Sequence, residues 1–298
     1  MKLVSEKSQI LRPAFSLVVG LFGLHLFCAI SIQAQEIPLA NFTILPEAGF
    51  DEVGAEDVKA SLRQLDLSIS FPKRLTQTII ITRLDFNYLS ADITRAGQSL
   101  ESDPLYSLGP GWTVVRPLSS EWQVMATFSP RISSDLKEVG SEDIYLNGSA
   151  VIMRRVGKRL RYGVGLVVGS EFGEPFLFPF GLLNWSNGEN LNVDLALPAQ
   201  AQIVYSLRPG TAIGVQSSIS GTEYNRNLEG NIDTSIKYST FVSGPFIRQQ
   251  IKGPLHFKLL MGTTLWRRFE FDERAPQDQA DQENGVFLRA GLVMNPQR

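Results

Sequence analysis

Apolar and polar residues alternate with a period of two along most of this 298-residue chain. Between Leu65 and Phe71, single polar residues separate four apolar ones, and the pattern returns at 80–88, 122–129 and 286–292. Successive side chains of a β-strand point to opposite faces, so this period predicts half-buried strands. Little of the chain has a helical period, and the pattern therefore predicts an all-β fold.

The first 34 residues have the composition of a secretory signal peptide. Basic residues at the start are followed by the apolar run 14–32 and by Ala34, a small residue suited to cleavage. We expect cleavage after Ala34, which makes 1–34 a leader and 35–298 the mature domain. An uncleaved membrane anchor is the alternative.

Cleavage at that point would remove the single cysteine, Cys28, and with it disulfides, thiolate metal sites and cysteine nucleophiles. Beyond Ile32, no apolar run reaches the ~20 residues that a membrane helix requires. The net charge of -2 gives no indication of a nucleic-acid partner. Any membrane-spanning part of the mature chain must therefore consist of strands.

Short turns and long polar segments alternate along the mature chain. Short turns are predicted at 157–159, 186–188, 208–210 and 253–254. Longer polar segments lie at 51–60, 90–104, 133–143, 221–234 and 272–284. A membrane barrel with short periplasmic turns and long outer loops has this order, and a soluble sandwich has no reason to adopt it.

The number of strands predicted for this barrel is fourteen. Twelve are readily seen between Leu62 and Met294, but twelve place the later long loops on the wrong side. A first strand at 38–49 and a tight corner at Pro198 together place all the long loops on one side. A corner is expected at Pro198 because proline has no N–H to donate to a central ladder. The sequence thus predicts a single antiparallel transmembrane β-barrel of about 14 strands, with 12 as the reserve and both termini in the periplasm.

Several short motifs are similar to those of one family. They are Glu171–Pro175, Trp185, Asp194–Pro198 and Ile203–Tyr205, with Ile44–Pro46 and Pro72 earlier in the chain. In these motifs the chain resembles a family of outer-membrane β-barrels of Gram-negative bacteria that is defined by a domain of unknown function. The resemblance covers nearly the whole mature chain. It implies a barrel fold and a location in the cell outer membrane, but no activity.

Alternation also predicts which ionisable side chains point into the lumen. The predicted lumen-lining residues are Arg83, Asp85, Arg131, Arg155, Arg161, Asp194, Lys237, His256, Lys258, Arg268 and Arg289. Basic side chains outnumber acidic ones in this set, as they do in pores that favour anions. Alternatively, these side chains fill a closed lumen and pair with carboxylates.

Residues suited to catalysis are scarce. His256 is the one histidine of the mature chain, and alternation points it inward, whereas barrel phospholipases carry their Ser-His-Asn set on the outer surface. One histidine and no cysteine argue against a transition-metal site, so no catalytic residue, metal or cofactor is predicted. The run Gly163–Gly169 lacks the spacing and the helix of a nucleotide-binding loop, and we predict a strand with its glycines inward.

Four functional classes remain open from the sequence. The first is a channel for small polar or anionic solutes. The second is a structural or interaction barrel whose outer loops contact lipopolysaccharide or a partner. The others are a lipid-acting enzyme that uses His256 and a soluble periplasmic sandwich. The expected partners are outer-membrane lipid, lipopolysaccharide and the barrel insertion machinery, with the oligomeric state left open.

Overall fold

Strands make up nearly all of the described chain. The computed structural model describes residues 36–50, 58–95, 97–100, 104–169, 176–228, 232–271 and 279–295. Its strands are β1 Ile37–Gly49, β2 Val58–Leu75, β3 Thr78–Arg95, β4 Gln98–Leu100, β5 Leu105–Pro117, β6 Trp122–Ser134, β7 Ile144–Val156, β8 Leu160–Gly169, β9 Phe176–Ser186, β10 Leu191–Leu197, β11 Gln200–Arg208, β12 Thr211–Leu228, β13 Ile232–Lys252, β14 Leu255–Phe271, β15 Gln279–Asp281 and β16 Val286–Met294. None of these residues belongs to a helix that is long and apolar enough to cross a membrane. The predicted leader, 1–34, lies outside the described residues.

The strands close into one antiparallel barrel. Each long strand pairs with the next long strand along the chain, and the last of them, β16, pairs with both β14 and β1. The three-residue strands β4 and β15 only extend β3 and β14. The wall therefore has fourteen strands, which confirms the predicted barrel. The twelve-strand reserve and the soluble sandwich are both wrong.

The two features that raised the predicted count to fourteen are both present. The first strand begins at Ile37 and pairs with β2 and β16. Pro198 and Ala199 form the turn between β10 and β11, because proline has no N–H to continue the ladder. Both strands at this corner are short, with seven and nine residues.

Connection length distinguishes the two ends of the barrel, with the two-residue corner at Pro198 as an exception at the long-loop end. At one end, where β1 begins and β16 ends, strands are joined by two to four residues, and we call this the short-turn end. Gly210 and Gly253 in its two-residue turns have φ of 82° and 54°, the left-handed conformation that hairpins of this length require. At the opposite, long-loop end, the predicted loop 221–234 is wrong, because β12 and β13 continue as paired strands through most of it.

A band of large apolar side chains surrounds the outside of the barrel. Leu67, Ile69 and Phe71 of β2 point outward and are 38–60% exposed. In the described residues 38 large hydrophobic side chains are exposed, far more than a protein surrounded by water presents. Trp122 and Trp185 lie on the same face near the short-turn end, where aromatic side chains of membrane barrels meet the lipid headgroups.

Toward the long-loop end the apolar side of the strands turns from the outside to the inside. Arg63 and Asp92 form a salt bridge of 3.1 Å on the outer face, with both side chains largely exposed. Leu62 and Leu89 point inward there and are at most 2% exposed. They belong to a packed group inside the barrel, the apolar core, which consists chiefly of Leu45, Leu62, Leu89, Leu105, Tyr224, Tyr238, Val242, Leu260, Phe269 and Phe287.

One strand crosses the long-loop end. Strands β8 to β11 have only 7–11 residues, whereas β12 has 18 and extends beyond them. Asn225 near the end of β12 forms a parallel bridge with Ser134 of β6, although five strands separate β6 from β12 in the wall. The backbone N–H of Asp135 donates to the Asn225 carbonyl at 3.2 Å. The barrel is therefore narrower at this end than at its short-turn end.

Candidate functional site in the barrel lumen

The structure places nine of the eleven predicted lumen residues on the inner face of their strands. The cross-strand register assigns these faces. Paired residues of neighbouring strands lie on the same face of the sheet, and the residues before and after each of the nine lie on the outer face. The nine are Arg83, Asp85, Arg131, Arg155, Arg161, Asp194, His256, Lys258 and Arg289.

The other two, Lys237 and Arg268, lie on the outer face instead. Alternation with Lys237 inside would point its neighbour Tyr238 outward, but Tyr238 is 5% exposed and belongs to the apolar core. At Arg268 the register shifts within β14, between its pairings to Phe241 and Val242. Arg267 is consequently the inner residue, only 1% exposed, while Arg268 lies 5.6 Å from the outer Trp266 ring.

Arg83 and Asp85 form an ion pair in the middle of the lumen. Arg83 Nε is 2.6 Å from Asp85 Oδ2, and Ser68 Oγ donates to Asp85 Oδ1 at 2.8 Å. Their partners on β5 are Gly111 and Gly109, which have no side chains to cover them. Although both point into the barrel, the two side chains are 41% and 39% exposed. The interior therefore has room for water at this level of the barrel.

A second charged group lies at the short-turn end. Glu36, which precedes the first strand, accepts hydrogen bonds from Arg248 Nη1 and, at 2.7 Å, from Lys258 Nζ. Lys258 also donates to Gln202 Oε1 at 2.7 Å. Burial opposes ionisation of Glu36, but the charges of Lys258 and Arg248 outweigh it and lower the pKa of this carboxyl. These four residues, the Glu36 cluster, connect the beginning of β1 to β11, β13 and β14.

The sequence prediction missed three members of the Glu36 cluster. Arg248 follows Ile247, an exposed residue of the outer face, so alternation along β13 could have assigned it to the lumen. Gln202 has the same signal, next to the exposed Ile203. Glu36 carries no such signal, because it precedes the first strand and nothing in its neighbourhood indicates that it turns inward.

His256 is an inner-face residue with a structural contact. Its side chain is 4% exposed, and Nδ1 lies 2.9 Å from the carbonyl oxygen of Pro254 in the adjoining turn. Three other predicted lumen residues contact neighbouring strands. Arg289 Nε donates to Thr43 Oγ1 at 2.9 Å, Asn184 Nδ2 donates to Asp194 Oδ1 at 3.0 Å, and Arg131 lies 5.9 Å from the Tyr145 ring centroid.

The glycines of β8 face inward and are covered by neighbouring side chains. A Cβ on Gly165 would come within 2.6 Å of the Phe180 ring, and a Cβ on Gly163 within 2.7 Å of Met153 Cγ. The bulky side chains of β7 and β9 can therefore lie against the wall of β8. This run is a strand, as predicted, and has no nucleotide-binding loop.

Comparison with known proteins gives a family for nearly the whole chain. The family described as "Domain of unknown function (DUF6268)" matches residues 27–296. The motif Glu171–Pro175, part of the resemblance seen in the sequence, lies outside the described residues. A search of the curated proteins finds no match.

Three solved structures with a similar arrangement are distant in sequence. The COG4313 outer membrane channel from Pseudomonas putida F1 is 10% identical, with a TM-score of 0.48 over 89% of this chain and 99% of that chain. The TodX monoaromatic hydrocarbon channel deltaS2 mutant is 9% identical, with a TM-score of 0.46 over 89% and 91%. Outer membrane phospholipase A from Escherichia coli is 7% identical, with a TM-score of 0.34 over 91% and 96%.

Proposed function

From the premise that this chain belongs to the DUF6268 family, defined by a domain of unknown function, we propose its function from the barrel alone. The protein is a channel in the outer membrane of a Gram-negative cell that passes small polar solutes and prefers anions. Its surroundings are outer-membrane lipid and lipopolysaccharide. It is exported by the leader 1–34 and placed in the membrane by the barrel insertion machinery.

The observation that carries this proposal is the exposure of the Arg83 and Asp85 side chains inside the barrel. Both side chains point inward near the middle of their strand, where a closed barrel filled by its own residues would bury them. Instead each keeps about two fifths of its surface exposed. Gly111, the cross-strand partner of Arg83, has no side chain that would cover the ion pair.

The balance of inner-face charge supports a preference for anions. Basic side chains outnumber acidic ones on the described inner face, and basic rings in a pore favour anions. The basic residues include Arg83, Arg131, Arg155, Arg161, Arg248, Lys258, Arg267 and Arg289, and the acidic residues include Glu36, Asp66, Asp85 and Asp194.

The outer surface supports residence in a membrane. A closed barrel leaves no backbone edge unpaired, which is the condition for β-structure within hydrocarbon. The outward Leu67, Ile69 and Phe71, like Val164 and Leu166 of β8, are exposed aliphatic and aromatic groups that favour lipid over water. Sedimentation with the outer-membrane fraction, and resistance to extraction by carbonate or urea, test this location.

Single-channel recording in planar bilayers tests the channel. We expect stepwise conductance from the folded protein. In a KCl gradient the reversal potential should have the sign of the chloride equilibrium potential, because anions pass more readily than cations. Folding is checked independently by the shift in electrophoretic mobility on heating. A folded barrel without conductance steps would overturn the proposal.

The second candidate is an interaction barrel, and the crossing of β12 to β6 favours it. Asn225 and Ser134 narrow the long-loop end, and the apolar core fills part of the interior beneath it. A barrel closed in this way would present its long-loop end to lipopolysaccharide or to a partner. Deletion of 272–284 would then abolish co-purification with that partner while leaving any conductance unchanged.

A further inference from the structure

Two arginines face each other on the inner face of the barrel at its short-turn end. Arg155 of β7 and Arg161 of β8 are direct cross-strand partners. Like charges in this position destabilise a sheet, so the pair opposes folding unless something offsets the repulsion. Neither guanidinium has an ion pair or a side-chain hydrogen bond to any residue within the described part of the chain, and Arg161 is only 9% exposed.

Arg155 and Arg161 border a cavity. It has a volume of about 200 Å³, and its wall includes the 119–121 turn, Gln123 and Met153 in addition to the arginines. One water molecule requires only ~10–15 Å³ measured in this way. The space is therefore sufficient for a small organic or inorganic anion together with several waters.

The charge of the cavity wall remains positive because its acidic member is already engaged. Among the described residues of this wall, Glu121 is the one with a carboxylate. Its Oε2 accepts hydrogen bonds from Arg154 Nε at 3.2 Å and from Arg154 Nη2 at 3.1 Å. Arg154 lies on the outer face, 5.5 Å from the Trp122 ring. Glu121 is thus held by an arginine of the opposite face, and Arg155 and Arg161 stay without a carboxylate.

We propose that this cavity binds a small oxyanion of phosphate or carboxylate chemistry between Arg155 and Arg161. The planar guanidinium donates two parallel hydrogen bonds to such a group, and two facing arginines can hold one anion from both sides. The bound anion also removes the repulsion between them. This site rests on the proposed channel and specifies it: solutes that carry such a group collect at the short-turn mouth of the lumen.

Titration calorimetry of the detergent-solubilised, folded protein with inorganic phosphate at low ionic strength tests the site. We expect saturable binding to the wild-type protein that weakens as salt is added. The double substitution Arg155→Gln and Arg161→Gln should weaken it by roughly tenfold or more, because two charge-assisted donors are lost. Succinate serves as a second probe of the same chemistry.

Arg63→Gln provides the matched control. It removes the same charge from the outer face of β2 near the long-loop end, far from the cavity and from Glu121, so phosphate binding should change by less than about twofold. No saturable binding to the wild-type protein would overturn the proposal, as would equal losses in Arg63→Gln and in the double variant. The double variant should fold, because the substitution removes a like-charge contact, and the heat-dependent mobility shift verifies this.

Conductance and binding separate this inference from the channel itself. Phosphate binding that depends on Arg155 and Arg161 in a barrel without conductance would support the site and overturn the channel. Conductance in a barrel that binds neither phosphate nor succinate would support the channel and overturn the site.

Discussion

The hydroxyl of Tyr224 donates a hydrogen bond to the side-chain oxygen of Asn87, although their strands, β12 and β3, are not neighbours in the barrel wall. Asn87 in turn donates to Asp66 on β2. Tyr224 is only 1% exposed and belongs to the apolar core. This contact joins the crossing part of β12 to the opposite side of the barrel, so the crossing has a polar anchor as well as an apolar one.

Tyr224→Phe tests that anchor. Removal of the hydroxyl should lower the free energy of unfolding by about 1 kcal/mol, the net value of one hydrogen bond. Amide exchange should accelerate in β12 beyond Ser218, where β11 no longer pairs with it. Tyr205→Phe, on the outer face, is the control and should alter neither quantity. Unchanged exchange in Tyr224→Phe would show that the apolar contacts alone hold the crossing.

Glu36→Gln should destabilise the barrel at neutral pH. The substitution leaves Arg248 and Lys258 facing each other without a carboxylate, and breaking a buried ion pair costs on the order of 3 kcal/mol. Guanidinium unfolding followed by tryptophan fluorescence measures the loss. Glu47→Gln removes an exposed carboxylate and should cost far less.

The same carboxyl predicts a dependence on pH. Because the folded-state pKa of Glu36 is lowered, its contribution to stability is present above its ordinary pKa and is lost as the pH falls through the lowered value. Acidification from neutrality to below pH ~4 should therefore reduce the stability of the wild-type protein more than that of Glu36→Gln. Parallel losses in the two proteins would contradict this assignment.

Charge substitutions in the middle of the lumen should alter ion selectivity in opposite directions. Arg83→Gln should lower the chloride-to-potassium permeability ratio and Asp85→Asn should raise it. Each change should be about two- to fivefold, because exposed charges interact by no more than ~1 kcal/mol. Reversal potentials in a KCl gradient measure the ratio. Permeability ratios equal to that of the wild-type protein in both variants would place the conducting path away from this pair.

Gly111→Val should narrow the path at the same level. A Cβ at Gly111 would lie 3.1 Å from Ser129 Oγ and 3.5 Å from Arg83 Nη2, contacts that small side-chain movements can relieve. The barrel should fold, and its single-channel conductance should fall. Val114→Leu, which enlarges an outward side chain of the same strand, should leave the conductance unchanged.

Leu62→Ala tests the apolar core of the long-loop end. Leu62 is fully buried, and truncation of such a side chain typically costs about 3 kcal/mol. The adjacent Arg63 is exposed on the outer face, so Arg63→Ala should cost less than ~1 kcal/mol. Similar losses in the two variants, measured by guanidinium unfolding, would contradict the reversal of the apolar side along β2.

The strand order could be predicted because backbone chemistry is local. Pro198 indicates a corner because proline lacks the N–H that a sheet ladder uses, and the alternation from Leu65 to Phe71 has the same period in any sheet. The family resemblance added the membrane setting, and the closed sheet of fourteen strands agrees with it. These features need no information about what surrounds the barrel.

The facing of individual side chains depends on those surroundings, and there the prediction was incomplete. A period of two does not reveal whether lipid or water lies outside, so Leu62 points inward while Leu67, on the same strand, points outward. Lys237 was misplaced for this reason. Arg268 was misplaced because a register shift in β14 leaves no mark in the sequence. The ion pairs of Glu36 with Arg248 and Lys258 join residues that are far apart in the sequence. A local sequence pattern cannot predict which residues meet across the lumen.

The seam between β1 and β16 has a consequence for biogenesis. Residues Ile37 to Ile44 pair with Leu288 to Met294, so the strands β1 and β16 complete the ring together. A chain in which β16 has not yet joined the sheet cannot close, and it carries two free backbone edges that could recruit other strands. Circularisation is thus the last step of assembly, and the cell must shield both edges until then.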